Sequence, residues 1–418
     1  VTRRAVKVIA TVAAAVALLG VGAAPARADL VRDHEYWLTE YGFTTAWNTS
    51  RGSGVKVAVI DTGVNGNVAE LRNAVVGGTD ASGIGTPDGQ TPVGEDSNHG
   101  TMVASLLAGR GTNPGDGVLG VAPEASVLTA SVAFGTDTGA TISNDDQIAQ
   151  AIRWSVDNGA DVINMSLTRN TRDWPESWDD AFMYAFENDV VVVAAAGNRG
   201  SGTTEVGAPA TIPGVLTVAG LDRDENASFD ASSQGITISV SAPSEDLVGV
   251  LPDGSYTLWN GTSGATPIVS GLVALVRAEF PDLDAANVMN RITATATPKG
   301  DEVPSPLYGY GVIDPVAALT AEVEKVDTTP AEALAEWIRV HRRAAGETQA
   351  PAEQEAIVPI ADPVVPRSDS AKTLLPTPWT LAYITVPLSL VAGFGILGAL
   401  LGIGATRHTR RTARSRGQ

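Results

Sequence analysis

Val190–Ala196 reads V-V-V-V-A-A-A and runs straight into Gly197-Asn198. A segment of strand length with no polar residue has no face to offer water, so it fits a strand covered on both sides. Moving outward from it, Val55–Ile60 (V-K-V-A-V-I, ending on Asp61-Thr62-Gly63), Ser126–Val132 and Asp161–Leu167 read as further strands. Helices are predicted at Ser143–Asn158 and near Trp178–Asn188. Another opens at His99-Gly100-Thr101, continues through M-V-A-S-L-L-A, and ends at Gly109. Gly77–Asn98, rich in Gly and Asp, reads as a long loop. Alternation of helices with continuous apolar strands predicts an α/β protein in three layers, with a mostly parallel central sheet. Beyond a helix that starts at Ser263, a turn at Pro281-Asp282, a helix at Ala285–Ala294 and a short final helix close the body near Val323.

Composition narrows the chemistry. The 418 residues contain no Cys, which removes thiol nucleophiles, Cys-ligated zinc and disulfides. The net charge is −19, and it is unevenly placed. Residues 1–28 carry Arg3, Arg4, Lys7 and Arg27 without an acid, and 406–418 carry Arg407, Arg410, Arg411, Arg414 and Arg416 without one. The body between them is therefore more acidic than the whole, and an acidic body repels nucleic acid. No nucleic-acid partner is expected.

The two ends read as membrane-related. Arg3, Arg4 and Lys7, an apolar run over Val8–Val21 and Ala26-Arg27-Ala28 form a signal-peptide pattern over 1–28. Residues 29–49 are a short aromatic extension, and 50–323 form the body. Residues 324–372, rich in Pro, Ala and Glu, read as a linker that as a coil would span roughly 40 Å, with Ala331–Ala345 able to form an isolated helix. Residues 373–405 carry no charge and are long enough for a single C-terminal transmembrane helix. The arginines at 406–418 then form a cytoplasmic tail by the positive-inside rule, which puts the body outside a cell membrane.

Asn260–Phe280, N-G-T-S-G-A-T-P-I-V-S-G-L-V-A-L-V-R-A-E-F, carries the first chemical signal. Pro267 sits inside the helix that Ser263 opens and cannot donate to the carbonyl of Ser263. A broken local rule of this kind marks a functional site, and Ser263 is the candidate nucleophile. A hydroxyl needs a base, and of the four His only His99 lies in the body. Alone, His99 would read as a structural or solvated residue. Asp61, at the carboxyl end of a strand, is its candidate orienter, and Asn198, following a buried strand, is a candidate oxyanion donor.

Taken together, V-A-V-I-D-T-G-V, N-H-G-T, A-A-A-G-N and N-G-T-S-G-A-T-P resemble the four signatures of subtilisin-like serine proteases, in order, over about Tyr36–Val323. The resemblance implies a subtilisin-like fold. It makes Ser263 the nucleophile, His99 general base and then acid, Asp61 its orienter, and Asn198 with the Ser263 N–H the oxyanion hole. Ser166, Leu167 and Thr168 fall where the family has Ser-Leu-Gly on its substrate-pairing strand, so a side chain at Thr168 narrows the cleft. Gly264 replaces a larger residue. No room is seen between Asp29 and the first strand for the usual propeptide.

The layout is most similar to the mycosins, membrane-anchored subtilases of actinobacterial type VII secretion, although mycosins usually carry disulfide cysteines. The implied function is a membrane-anchored extracytoplasmic serine endopeptidase acting on proteins or peptides, with secretion-complex membrane proteins as partners. The alternative is a subtilase-fold subunit that stabilises such a complex. No cofactor or metal is expected. Calcium, common in subtilases, is left unassigned because the Asp-rich loops lack a ligand spacing for it.

Overall fold

The computed structural model describes residues 28–113 and 115–345. All of them fall in the first of two compact units, Val1–Pro363; the second, Val364–Gln418, lies outside the described residues. The seven main strands are β1 (Lys56–Asp61), β2 (Val75–Asp80), β3 (Ser126–Ser131), β4 (Val162–Met165), β5 (Val191–Ala195), β6 (Leu216–Leu221) and β7 (Ile238–Pro243). They form one sheet in the order β2-β3-β1-β4-β5-β6-β7, with every neighbouring pair parallel. A separate antiparallel hairpin pairs β8 (Leu247–Val250) with β9 (Tyr256–Trp259).

Ten α-helices are described: α1 (Ala28–His34), α2 (Tyr36–Glu40), α3 (Phe43–Ala46), α4 (His99–Ala108), α5 (Asn144–Asp157), α6 (Glu176–Glu187), α7 (Thr262–Glu279), α8 (Ala285–Ala294), α9 (Pro315–Thr320) and α10 (Pro330–Ala345). The period of two in β1 sorts its side chains between two cores. Val57 and Val59 join Leu106, Leu107, Ile268 and Leu272 of α4 and α7, whereas Ala58 and Ile60 join Ile152, Trp178 and Phe182 of α5 and α6. That is the expected three-layer arrangement. It also explains why β5 is apolar throughout, since all five of its residues are buried.

Several details differ from the sequence reading. Val75–Asp80 is an edge strand although its Gly77-Gly78 suggests a loop. A Cβ on Gly78 would meet the Asp88 carbonyl at 2.0 Å, so glycine is required there by a close backbone approach. The aromatic extension is part of the core, with Trp37 and Phe43 fully buried. Helix α10 is docked rather than isolated. Leu334 is fully buried in the second core, Trp337 stacks on Trp174 at 4.2 Å, and Arg342 Nε donates to Asp179 Oδ2 at 2.8 Å.

The membrane expectations are corrected. Among the described residues no helix is long and apolar enough to cross a membrane. The longest, α7, buries its apolar side chains in the first core and ends on Arg277 and Glu279, so its hydrophobicity serves packing against the sheet. The expected signal peptide over 1–28, all but its last residue, the span at 373–405 and the tail at 406–418 lie outside the described residues. The C-terminal transmembrane helix, the membrane as a partner, the single-pass localisation and the membrane-anchored form of the function are accordingly withdrawn.

Candidate active site

Three consecutive strands deliver the candidate residues to one edge of the sheet. Asp61 ends β1, Ser166 follows β4, and Asn198 lies just past β5. In open α/β sheets the carboxyl edge where the strand order reverses is where crevices form. Here the chain turns from β3 on one side of β1 to β4 on the other.

Asp61 is 1% exposed and is held on both sides. The Thr62 N–H donates to its Oδ1 at 2.7 Å, and Nδ1 of His99 lies 2.9 Å from Oδ1 and 3.0 Å from Oδ2. A buried carboxylate needs such partners, and here they also fix the imidazole. His99 is the first residue of α4, and that helix start dovetails with the turn after β1. A Cβ on Gly100 would lie 2.4 Å from the Gly63 carbonyl, so only glycine allows the approach. The Gly100 N–H donates to Thr62 Oγ1 at 3.0 Å, while Asn98 makes no side-chain cap. Thr62 thus caps α4 from another element. With Nδ1 facing a carboxylate, Nε2 becomes the basic nitrogen of the ring.

Ser263 is the second residue of α7. The carbonyl that Pro267 leaves without an intrahelical donor does find a partner, because Ser166 Oγ donates to it at 2.8 Å. In return Ser263 Oγ donates to the Ser166 carbonyl at 3.1 Å. Ser166 is itself positioned by Asn164 on β4, whose Nδ2 donates to Ser166 Oγ at 3.1 Å and whose Oδ1 accepts from Ser270 Oγ at 2.9 Å. The end of β4 and the start of α7 are thus tied through one polar network.

Asn198 Oδ1 accepts from the Thr262 N–H at 2.8 Å and from Thr262 Oγ1 at 2.9 Å. That leaves the Nδ2 hydrogens as the amide's donors beside the start of α7. Gly261, at φ +149°, admits this approach, since a Cβ there would lie 3.1 Å from Asn198 Nδ2. The N-terminal end of an 18-residue helix adds a favourable field for a developing negative charge.

Trp259 is a contributor that the sequence analysis did not identify. Its ring meets His99 edge-on at 5.7 Å, and with Leu247 it occupies the space next to Gly264. A Cβ on Gly264 would come within 2.3 Å of Leu247 Cδ1. The missing side chain at 264 is therefore compensated by the β8–β9 hairpin. Thr62 was equally unassigned, though its hydroxyl directly after Asp61 was a readable signal. Leu167 and Thr168 follow Ser166 beyond the end of β4, outside any helix or strand.

Among the described residues, no group of three or more His, Asp or Glu could hold a metal ion. In the Asp-rich loop, carboxylates are engaged by the chain itself: Asp80 accepts from the N–H groups of Ser82 and Gly85 and from Ser131 Oγ. Burial pushes its carboxyl up, but the Ser82 hydroxyl together with these bonds holds it below its ordinary range.

Residues 52–311 match the model of the subtilase family. The chain is 38% identical to subtilisin DY of Bacillus licheniformis over 271 residues, which is 64% of this chain and 92% of that protein. It is 39% identical to subtilisin E of Bacillus subtilis, over 64% of this chain and 66% of that one. Among solved structures, MycP1 from Mycobacterium smegmatis aligns with a TM-score of 0.59 at 32% identity, over 70% of this chain and 86% of that chain. A chain of the periplasmic assembly from the ESX-5 inner membrane complex aligns with a TM-score of 0.59 at 31% identity, over 70% and 85%. A parallel sheet with this crevice, matched over most of its length by subtilisins, makes the chain a member of the subtilase family, a subtilisin-like serine endopeptidase with mycosins among its structural relatives.

Proposed function

We propose that the chain hydrolyses peptide bonds through Ser263 as nucleophile, His99 as general base and then general acid, and Asp61 as the group that orients His99. The single observation that carries this reading is the buried Asp61 carboxylate engaging Nδ1 of His99, which orients the ring and makes Nε2 its basic nitrogen. Ser263 Oγ attacks the carbonyl carbon while His99 takes its proton; collapse of the tetrahedral intermediate expels the amine, to which His99 returns the proton. Asn198 Nδ2 and the Ser263 N–H receive the oxyanion. Water then attacks the acyl-enzyme by the same route. Ser166, Leu167 and Thr168, just beyond β4, pair with the substrate backbone.

A serine-directed fluorophosphonate tests the assignment. Wild type is expected to be labelled covalently and Ser263→Ala is not; equal labelling of both rules out Ser263 as nucleophile. A scaffold without proteolysis would also leave wild type unlabelled. The likeness to MycP1 and to the ESX-5 periplasmic assembly supports a second, compatible reading, in which the enzyme works beside type VII secretion components. Co-purification of those components with the tagged full chain, and its loss in their deletion strains, checks it.

A further inference from the structure

The residue on the acyl side of a bond attacked by Ser263 must lie beside Ser263 Oγ. Two backbone segments flank that atom: 166–168, whose Ser166 carbonyl is 3.1 Å away, and 196–198, whose Asn198 holds Thr262. With the scissile carbonyl oxygen turned toward Asn198 Nδ2, the acyl-side side chain points into the trough between these segments. Two glycines line the trough, Gly197 and Gly207, yet it is filled. Thr168 Cγ2 lies 3.3 Å from the point where a Cβ on Gly197 would sit, beside Ser233 Oγ at 3.0 Å, and Thr168 Oγ1 lies 2.7 Å from the same point on Gly207, where the Arg169 carbonyl comes closer still. One side chain therefore reaches both glycines. Thr203 Cγ2 backs it, at 2.9 Å from the Gly197 position.

The plug is held in place. Thr168 Oγ1 donates to the Arg169 carbonyl at 3.1 Å, and Thr203 Oγ1 donates to Asn170 Oδ1 at 2.8 Å. The segment behind it is clasped to the floor by the Arg169 N–H, which donates to the Ala208 carbonyl at 2.7 Å. A β-branched side chain is stiff about χ1, so it does not swing aside readily. Thr203 also borders an open cavity of about 470 Å³ lined by polar residues such as Asn170, Arg172 and Glu205.

We propose that Thr168, backed by Thr203, closes this trough and restricts the acyl-side residue of substrates to Gly or Ala. The inference rests on Ser263 being the nucleophile. In a pocket of fixed size each methylene is worth about 10–200-fold in kcat/KM, so Leu and Phe at this position are strongly disfavoured.

The test uses the full chain and internally quenched peptides that differ only in the acyl-side residue: Gly, Ala, Leu or Phe. Each preparation is titrated with fluorophosphonate, so that rates refer to reactive serine. Wild type is expected to prefer Ala over Phe by at least roughly 100-fold in kcat/KM. Thr168→Gly should shrink that ratio by roughly 10-fold or more, Thr168→Ser by an intermediate factor, and Thr203→Ala in the same direction. Comparable rates on Ala and Phe in wild type, or an unchanged ratio in a Thr168→Gly protein that still labels, would overturn the plug. Failure of wild type to label would instead overturn the nucleophile assignment.

Discussion

Replacing Asn198 separates two roles that one side chain performs. Its oxygen accepts from the Thr262 N–H and hydroxyl, and its Nδ2 is the donor assigned to the oxyanion. Loss of one such donor costs about 2.7–4 kcal/mol of transition-state stabilisation, or 10²–10³ in kcat; that magnitude comes from a subtilisin, so from this chain's own family. Asn198→Ala removes the acceptor as well. Thr262 is fully buried, and although its Oγ1 still accepts from the Gly197 N–H at 3.2 Å, its own N–H is left unpaired. An unpaired buried donor costs roughly 1–3 kcal/mol of stability. Asn198→Asp keeps an acceptor for Thr262 and loses the donor. The expected pattern is therefore a kcat loss of about 10²–10³ or more in both variants, with a stability loss only in Asn198→Ala. Steady-state kinetics on a peptide substrate and urea unfolding read the two effects. An Asn198→Asp enzyme with wild-type kcat would refute the oxyanion role, and an Asn198→Ala protein as stable as wild type would refute the structural one.

Two further predictions concern the framework. Gly264→Ala drives a Cβ against buried Leu247, so a loss of about 1–3 kcal/mol is expected in denaturant unfolding, and less in a Leu247→Ala background than the two single changes would sum to. Burial raises the Glu35 carboxyl from 4.5 to about 8, outweighing the Arg32 guanidinium 3.0 Å away and the Leu119 N–H that donates to it. A folded-state pKa above the unfolded one means that the stability Glu35 contributes is complete below pH 4.5 and is lost as pH rises through about 8. Unfolding free energies of wild type and Glu35→Gln across that window should therefore converge on neither side equally, the variant gaining on wild type as pH rises; a constant difference would contradict the buried-carboxyl account.

Much of the fold was legible because the periodicities are strong. Val191–Ala195 could be read as a doubly covered strand from its lack of polar residues, and Ala285–Ala294 forms the helix expected there. Elements whose residues have weak local preference were not legible. Val75–Asp80 looks like a loop because of its glycines, and residues between Asn198 and Asn260 gave no strand signal although they supply β6, β7 and the β8–β9 hairpin. For β2, β6 and β7 the pairing partner, on another part of the chain, decides the conformation. Docking of α10 was hidden for the same reason, since Trp174 and Asp179 lie far from Trp337 and Arg342 along the chain.

The sequence by itself singled out the candidates for the chemistry: one body His, an Asp at a strand end, an Asn after a buried strand, and a Ser on a helix interrupted by Pro267. It also determined that Pro267 would leave the Ser263 carbonyl without its helical donor. Only the tertiary structure decided what answers that carbonyl, namely the Ser166 hydroxyl, itself aimed by Asn164 and Ser270. It likewise decided that Leu247 and Trp259 fill the space beside Gly264, and that Thr168 spans from Gly197 to Gly207. Composition and periodicity report what a residue does within its own element. The walls of a crevice are made by elements that meet only when the sheet is assembled, so their separation is a property of packing.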